Sequence, residues 1–245
     1  ALALDDKCPE RLYIASGITE NGYGVLSISE DFGETFTYKR IPATVHGNMS
    51  GRGTGYRLVV DNNDSNTLYF ASQKNGLLKS ADRGDTWTKL DIDEDYMTFV
   101  WVSEDSKTIV AGTAGYITRI DDGLRGHSLY VSYDGGESFE KLMQPENVII
   151  EDSKMNGLVA SRYDYDGKYL YVTMQSTGRW NYIVDMGYSC DTGDTLGGKV
   201  LRYRFKDGII TGYDDITPDG EGRLTTKYLN YGFGGVCSCP AKPGL

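Results

Sequence analysis

The octet "SEDFGETF" at residues 29–36 returns as "SADRGDTW" at 80–87 and as "SYDGGESF" at 132–139. The three copies share S-x-D-x-G-x-[ST]-[WF], and their starts lie 51 and 52 residues apart. A motif recurring at such spacing marks a repeat architecture, in which each copy is one supersecondary unit. The octet itself reads as a hairpin turn. "GLLKS" enters the second copy and "TWTKL" leaves it, both with strand alternation. Asp82 is placed to accept backbone N–H bonds across the turn, and Gly84 to supply the positive φ of a tight turn. Trp87, Phe36 and Phe139 are expected to pack beside their turns. Ser29, Asp31, Gly33, Ser80, Asp82, Gly84, Trp87, Ser132, Asp134 and Gly136 are therefore expected to be structural, with no catalytic duty for the three aspartates.

The rest of the unit recurs around the octet. A first strand appears as "ALALD", "YRLVVD", "FVWVSED", "GLVASRYD" and "GGVCSC". A second appears as "RLYIAS", "TLYFAS", "TIVAGT" and "YLYVTM", and a third as "GVLSIS", "GLLKS", "SLYVS" and "KVLRY". A fourth appears as "TFTYKRI", "TWTKLD", "SFEKLM" and "GYDDITP". Units of ~50 residues with four antiparallel strands are propeller blades. The expected fold is all-β, a single partial β-propeller domain over 1–245. Its blades fall near 1–42, 56–92, 98–143 and 156–218, with the first strand of a fifth at 232–240. The fourth unit has no octet. A closed ring that ended on a lone first strand would leave an unpaired edge. The chain is therefore read as part of a larger ring, with a four-bladed ring and a trailing strand as the alternative.

Composition narrows the ligand. The chain has 31 Gly, and 19 Tyr against 7 Phe, which suits a many-turned β protein. Net charge is −10 with no offsetting Lys/Arg cluster, which argues against nucleic acid as a partner. No apolar run reaches the ~18 residues of a membrane-spanning helix. An acidic, Tyr-rich surface suits a neutral ligand, and sugars are the obvious class. Cys8, Cys190, Cys237 and Cys239, with only His46 and His127 beside them, do not form a zinc pattern. Isolated thiols or one distant disulfide are both open. No metal or cofactor is expected. The opening "ALALDD" has neither an initiator Met nor a signal-like block, as in a mature protein or an internal piece.

Antiparallel order fixes the sides of the loops. Turns between strands one and two, and the octets between three and four, share one face, and those turns are short and polar. Loops between strands two and three, and between blades, share the other face. These are long: 16–24, 42–55, 113–126, 174–198 and 217–232. Exposed Trp, Tyr, Arg, Asn and Asp concentrate there, where a rigid scaffold carries function. "GNMSGRGTG" at 47–55 enters a strand and lacks the Lys-Ser/Thr ending of a phosphate loop, so it is read as an inter-blade loop on the working face. Asn48, Arg52 and Arg57 can point at a ligand or brace neighbouring loops.

The order and spacing of "GNMSGRGTGYRLVVDNNDSNTLYFASQKNGLLKSADRGDTW", the "VWV" around Trp101, and "YGFGG" at 231–235 resemble glycoside hydrolase family 74 across nearly the whole chain. The resemblance implies a secreted enzyme of two seven-bladed propellers with the cleft between them. It implies cleavage of β-1,4-glucan backbones of xyloglucan or a related plant cell-wall polysaccharide, with inversion. Such chemistry needs a general acid and a general base ~6.5–9.5 Å apart with a water between. The family's two aspartate motifs match nothing in this chain, so no catalytic residue is assigned to it. The chain would supply one wall of the cleft and meet the second propeller of the same parent protein.

The chain departs from the family pattern at Tyr56, where a Glu is usual, and at "KMNG" in 154–157, where a His-containing motif is usual. Its loop at 174–198 is also longer. Trp180 and Tyr182 in that loop are candidate sugar platforms, since aromatic faces stack on sugar rings. Trp101, inside a first strand, reads as core. Asp185, Asp191 and Asp194 can hold hydroxyls, but no calcium-loop pattern surrounds them. Competing readings are a non-catalytic carbohydrate-binding propeller, a sialidase suggested by the octets and "RIP" at 40–42, and a protein-binding receptor propeller.

Overall fold

The structure, a computed structural model, describes residues 1–17, 23–45, 55–72, 74–113, 128–146, 148–151, 154–156, 158–176, 198–218, 236–239 and 241–243. Four four-stranded antiparallel sheets follow one another along the chain, each with its strands in sequence order. The first holds β1 (Leu2–Leu4), β2 (Leu12–Gly17), β3 (Gly24–Ser29) and β4 (Thr37–Ile41). The second holds β5 (Leu58–Val60), β6 (Leu68–Ala71), β7 (Leu77–Ser80) and β8 (Thr88–Lys89). The third holds β9 (Met97–Val102), β10 (Ile109–Thr113), β11 (Leu129–Ser132) and β12 (Glu140–Leu142). A two-stranded hairpin, β13 (Val148–Glu151) with β14 (Lys154–Asn156), comes before the fourth sheet. That sheet holds β15 (Leu158–Tyr165), β16 (Tyr169–Ser176), β17 (Lys199–Lys206) and β18 (Ile209–Asp215). No described residue is helical. The all-β blade architecture matches the sequence reading.

Burial explains the strand compositions. β6, β9, β10 and β11 are buried at every position, so they read as continuous apolar runs such as "MTFVWV". The last strand of each of the first three sheets is mostly exposed, and β8 has only two residues. A short, polar outer strand offers little template for pairing with another chain. Alternation then divides the buried strands of the second and third sheets between two neighbours. Leu68 and Phe70 enter a core shared with Tyr13, Leu26 and Ile41 of the first blade. Tyr69 and Ala71 enter a second core with Met97, Val100 and Ile109 of the third. Phe99 and Trp101 enter a third core with Leu170, Val172, Leu201 and Tyr203 of the fourth.

The octets are hydrogen-bonded cages, built the same way three times. Ser29 Oγ donates to Asp31 Oδ1 (2.7 Å) and accepts from the Gly33 N–H (2.8 Å). Asp31 also accepts from the Thr35 N–H (2.9 Å) and hydroxyl (2.6 Å). Ser80, Asp82, Gly84 and Thr86 repeat the set, as do Ser132, Asp134, Gly136 and Ser138. Two adjacent residues of each octet have positive φ: Phe32 and Gly33, Arg83 and Gly84, Gly135 and Gly136. The first of each pair donates its N–H to the blade's other short turn, at Glu10 O, Asn66 O and Lys107 O. Octet and first turn are thereby tied together on one face, leaving the opposite face to the long loops.

Donation by Thr35, Thr86 and Ser138 holds the three octet carboxyls well below the usual range, Asp31 and Asp82 to about 2. A carboxyl depressed in the folded state contributes stability above its unfolded value, near 3.8, and that contribution disappears as pH falls through about 2. Urea titrations between pH 5 and 2 should therefore show Asp82→Asn well below wild type at pH 5 and the gap closing toward pH 2. A gap independent of pH would refute the cage as an ionised one.

Three features differ from the sequence reading. The β13–β14 hairpin was not expected; its Val148-Ile149-Ile150 run is short but strongly β-forming. In the fourth blade the octet is replaced by a two-residue turn with Asp207 at φ 52° and Gly208 at φ 79°. Asp-Gly in this geometry closes a tight hairpin, which starts the fourth strand at Ile209 and extends the third to Lys206. The fifth-blade strand expected at 232–240 lies partly outside the described residues. Its described part, 236–239, has no strand pairing, although Cys237 and Cys239 do share the exposed side. Cys8, Cys237 and Cys239 are free thiols.

Candidate functional site

The long loops spring from a small set of anchored stems. Ser72, at the end of β6, is fully buried. Its hydroxyl donates to Thr44 O (3.2 Å) and accepts from the Asn75 N–H (3.2 Å), while its carbonyl accepts from the Met97 N–H (2.9 Å). Asn75 Oδ1 accepts in turn from the Thr44 N–H (2.9 Å). One serine thus ties the connection leaving the first blade, the second blade's inner loop, and the connection into the third. Gly17 and Gly24, which flank the first blade's inner loop, both face Val45, and a Cβ on Gly24 would overlap the Val45 side chain. Thr113 and Ser128 close the stem in the third blade through Thr113 Oγ1 donating to Ser128 O (2.7 Å). In the fourth blade Thr217 Oγ1 accepts from the Val200 N–H (3.0 Å).

Where the first strands begin, Tyr56 and Arg57 lead into β5. Arg57 is 6% exposed, and burial lowers its pKa from the usual arginine value. Its carbonyl accepts from the Ala71 N–H (2.7 Å). Tyr56 is turned outward and 55% exposed. Its ring meets Tyr163 of β15 edge-on, with centroids 5.3 Å apart and planes at 62°. Tyr163 packs in turn on Phe99 of β9 at 5.2 Å, and burial pushes its phenol above the ordinary range, so it stays neutral. The Tyr56 carbonyl accepts from the Val100 N–H (3.1 Å), which fixes the backbone beneath the ring.

Of the residues singled out from the sequence, Asn48, Arg52, Trp180 and Tyr182 lie outside the described residues, as do His46, Asp185, Asp191 and Asp194. Trp101 is 6% exposed in the core between the third and fourth blades. Two described carboxylates at the loop side are held in ion pairs, Asp95 with Lys89 (2.7 Å) and Asp215 with Lys199 (2.8 Å). Among the described residues no group of His, Cys, Asp and Glu is placed to hold a metal.

The opposite face also holds acids that the sequence reading passed over as plain turn residues. Asp5, Asp61 and Asp166, each following a first strand, are buried. Each accepts two backbone N–H bonds from its own turn. Asp5 also accepts from Ser65 Oγ (3.0 Å) of the second blade, and Asp61 from Ser106 Oγ of the third. The visible signal was the Asp that closes "ALALD" and "YRLVVD".

No protein-family model matches the chain. A xyloglucanase of Hypocrea jecorina (strain QM6a) is 30% identical over 272 residues, covering all of this chain and 29% of that protein. The crystal structure of a glycoside hydrolase family 74 enzyme from Niastella koreensis superposes with a TM-score of 0.66 at 28% identity, over 90% of this chain and 30% of that one. That of a family 74 xyloglucanase from Xanthomonas campestris gives a TM-score of 0.64 at 23% identity, over 92% of this chain and 31% of that one, and speaks for the fold. The chain thus spans less than a third of the length of these relatives.

Proposed function

Because this chain carries the sequence pattern and the blade architecture of glycoside hydrolase family 74 throughout, we propose that it is part of a secreted enzyme that cleaves the β-1,4-glucan backbone of xyloglucan or a related plant cell-wall polysaccharide. The 30% identity to a xyloglucanase over the whole chain is the observation that carries this reading. The chain forms one wall of the substrate cleft, and a second propeller of the same protein forms the other. Hydrolysis proceeds with inversion. One carboxylic acid protonates the leaving oxygen, and a carboxylate ~6.5–9.5 Å away activates the attacking water. Both carboxylates come from outside these 245 residues. Asn48, Arg52, Trp180 and Tyr182, on the long-loop face, contact the sugar, and buried Arg57 braces the loop beside them. No cofactor takes part.

Reducing-sugar release from xyloglucan should be measured with the full-length protein and the 245-residue chain side by side. The full-length protein should release sugar and the chain alone none. Activity in the chain alone would move the catalytic pair into it, with Asp185, Asp191 and Asp194 the first residues to replace. Saturable binding without hydrolysis by the full-length protein would make it a carbohydrate-binding propeller instead.

A further inference from the structure

We infer that Tyr56 is a sugar-stacking subsite, its phenol ring forming a platform for one pyranose unit of a neutral glucan; this rests on the glycoside hydrolase reading above. Tyr56 leads into the first strand of the second blade, and Tyr163 lies in the first strand of the fourth. The first strand of the third blade runs between them, so the two rings meet across it, on the side where the first strands converge. This is the axial side of the blades, at the end from which the long loops rise. The position is tied to the glycine-rich loop by chain continuity, since residues 47–55 run directly into Tyr56.

The ring is also held in place before any ligand arrives. Tyr163 contacts it edge-on at 5.3 Å, Phe99 backs Tyr163 at 5.2 Å, and the Val100 N–H fixes the Tyr56 carbonyl. A T-shaped contact covers at most one face of the Tyr56 ring, and with the residue 55% exposed the other face is the surface a sugar's C–H groups stack on. A pre-oriented ring loses little side-chain freedom on binding, which lowers the entropic cost. Other large exposed rings lack this setting. Phe32 lies on an octet turn and Tyr38 on an outer strand, each without an aromatic partner among the described residues, and Tyr23 has the Arg40 guanidinium over its ring at 4.4 Å. The overall charge of −10 suits an uncharged ligand at this site.

The test uses the full-length protein with Tyr56→Ala and Tyr56→Phe. The probes are a linear β-1,4-glucan hexasaccharide and xyloglucan. Dissociation constants come from calorimetry with the hexasaccharide and KM from hydrolysis of xyloglucan. Tyr56→Ala should weaken hexasaccharide binding and raise KM about tenfold, in the range of one aromatic platform. Tyr56→Phe, which keeps the ring, should stay within about twofold of wild type. Both variants should melt within a few degrees of wild type, because the side chain is largely in solvent. Wild-type affinity in Tyr56→Ala would overturn the subsite and leave the hydrolase reading standing. A loss in Tyr56→Phe as large as in Tyr56→Ala would assign the effect to the hydroxyl and overturn stacking. A wild-type protein that neither binds nor cleaves either probe would overturn the hydrolase reading, and the subsite with it.

Discussion

Replacing Trp101 with alanine should destabilise the protein by about 3–5 kcal/mol, the range for removing a large buried aromatic. The ring is 6% exposed and lies 5.1 Å from Tyr165 and 5.6 Å from Phe205. Those two residues sit on β15 and β17, which flank β16 in the fourth sheet, and contact each other at 6.0 Å. Trp101 therefore fills the seam between two blades rather than the interior of one. Its loss leaves a cavity bounded by two separate sheets, and each is anchored by its own ladders, so collapse onto the gap is limited. Urea unfolding followed by circular dichroism measures the effect. A loss below about 1 kcal/mol would mean that the two sheets close freely over the gap, and that their ladders do not hold them apart. A change in slope as well as midpoint would show the third and fourth blades unfolding separately.

Asp166→Ala should cost about 3 kcal/mol, because two part-buried N–H groups and one buried hydroxyl lose their acceptor at once. The carboxylate is 1% exposed. Its Oδ1 accepts from the Lys168 and Tyr169 N–H groups at 2.9 and 2.7 Å, and its Oδ2 from the Tyr171 hydroxyl at 3.0 Å. That acceptance leaves the Tyr171 phenol neutral, and burial with the Asp166 bond pushes it up to about 12. Asn at position 166 keeps one acceptor oxygen and should recover part of the loss. Chemical denaturation of the two variants separates the cases. Equal stability of Asp166→Asn and Asp166→Ala would deny the backbone bonds a share in the effect.

The blades were readable because two periodicities agree. Side chains alternate along "RLYIAS" and "TLYFAS", and the octet returns at a spacing that leaves room for four strands between copies. Tertiary packing was less readable. Nothing local marks Tyr56 as the partner of Tyr163, since the contact depends on three first strands lying side by side. The roles of Asp5, Asp61 and Asp166 were hidden for a similar reason. "DDKCPE" and "DNNDSN" look like ordinary solvent turns until the next blade's serine closes over the carboxylate. The fourth blade's turn was legible in "KDGI", because Asp-Gly favours the backbone that Asp207 and Gly208 adopt. It was missed because the octet dominated the expectation. For the long loops, sequence supplied aromatic and polar side chains, and the structure supplied the stems at Ser72, Val45 and Thr113 that carry them.

The division of the second and third sheets' buried strands between two neighbours has a consequence for how such a chain is made. Among the described residues, every ladder joins strands adjacent in sequence, and every seam joins a blade to the one synthesised just before it. A ribosome therefore releases each blade after the surface that will receive it, so contacts can close in the order of translation. Leu26 waits for Gly84, and Leu90 for Gly136, each no more than about one blade later. With such short delays between partners, the growing chain need not hold a large apolar face open while distant segments are still being made.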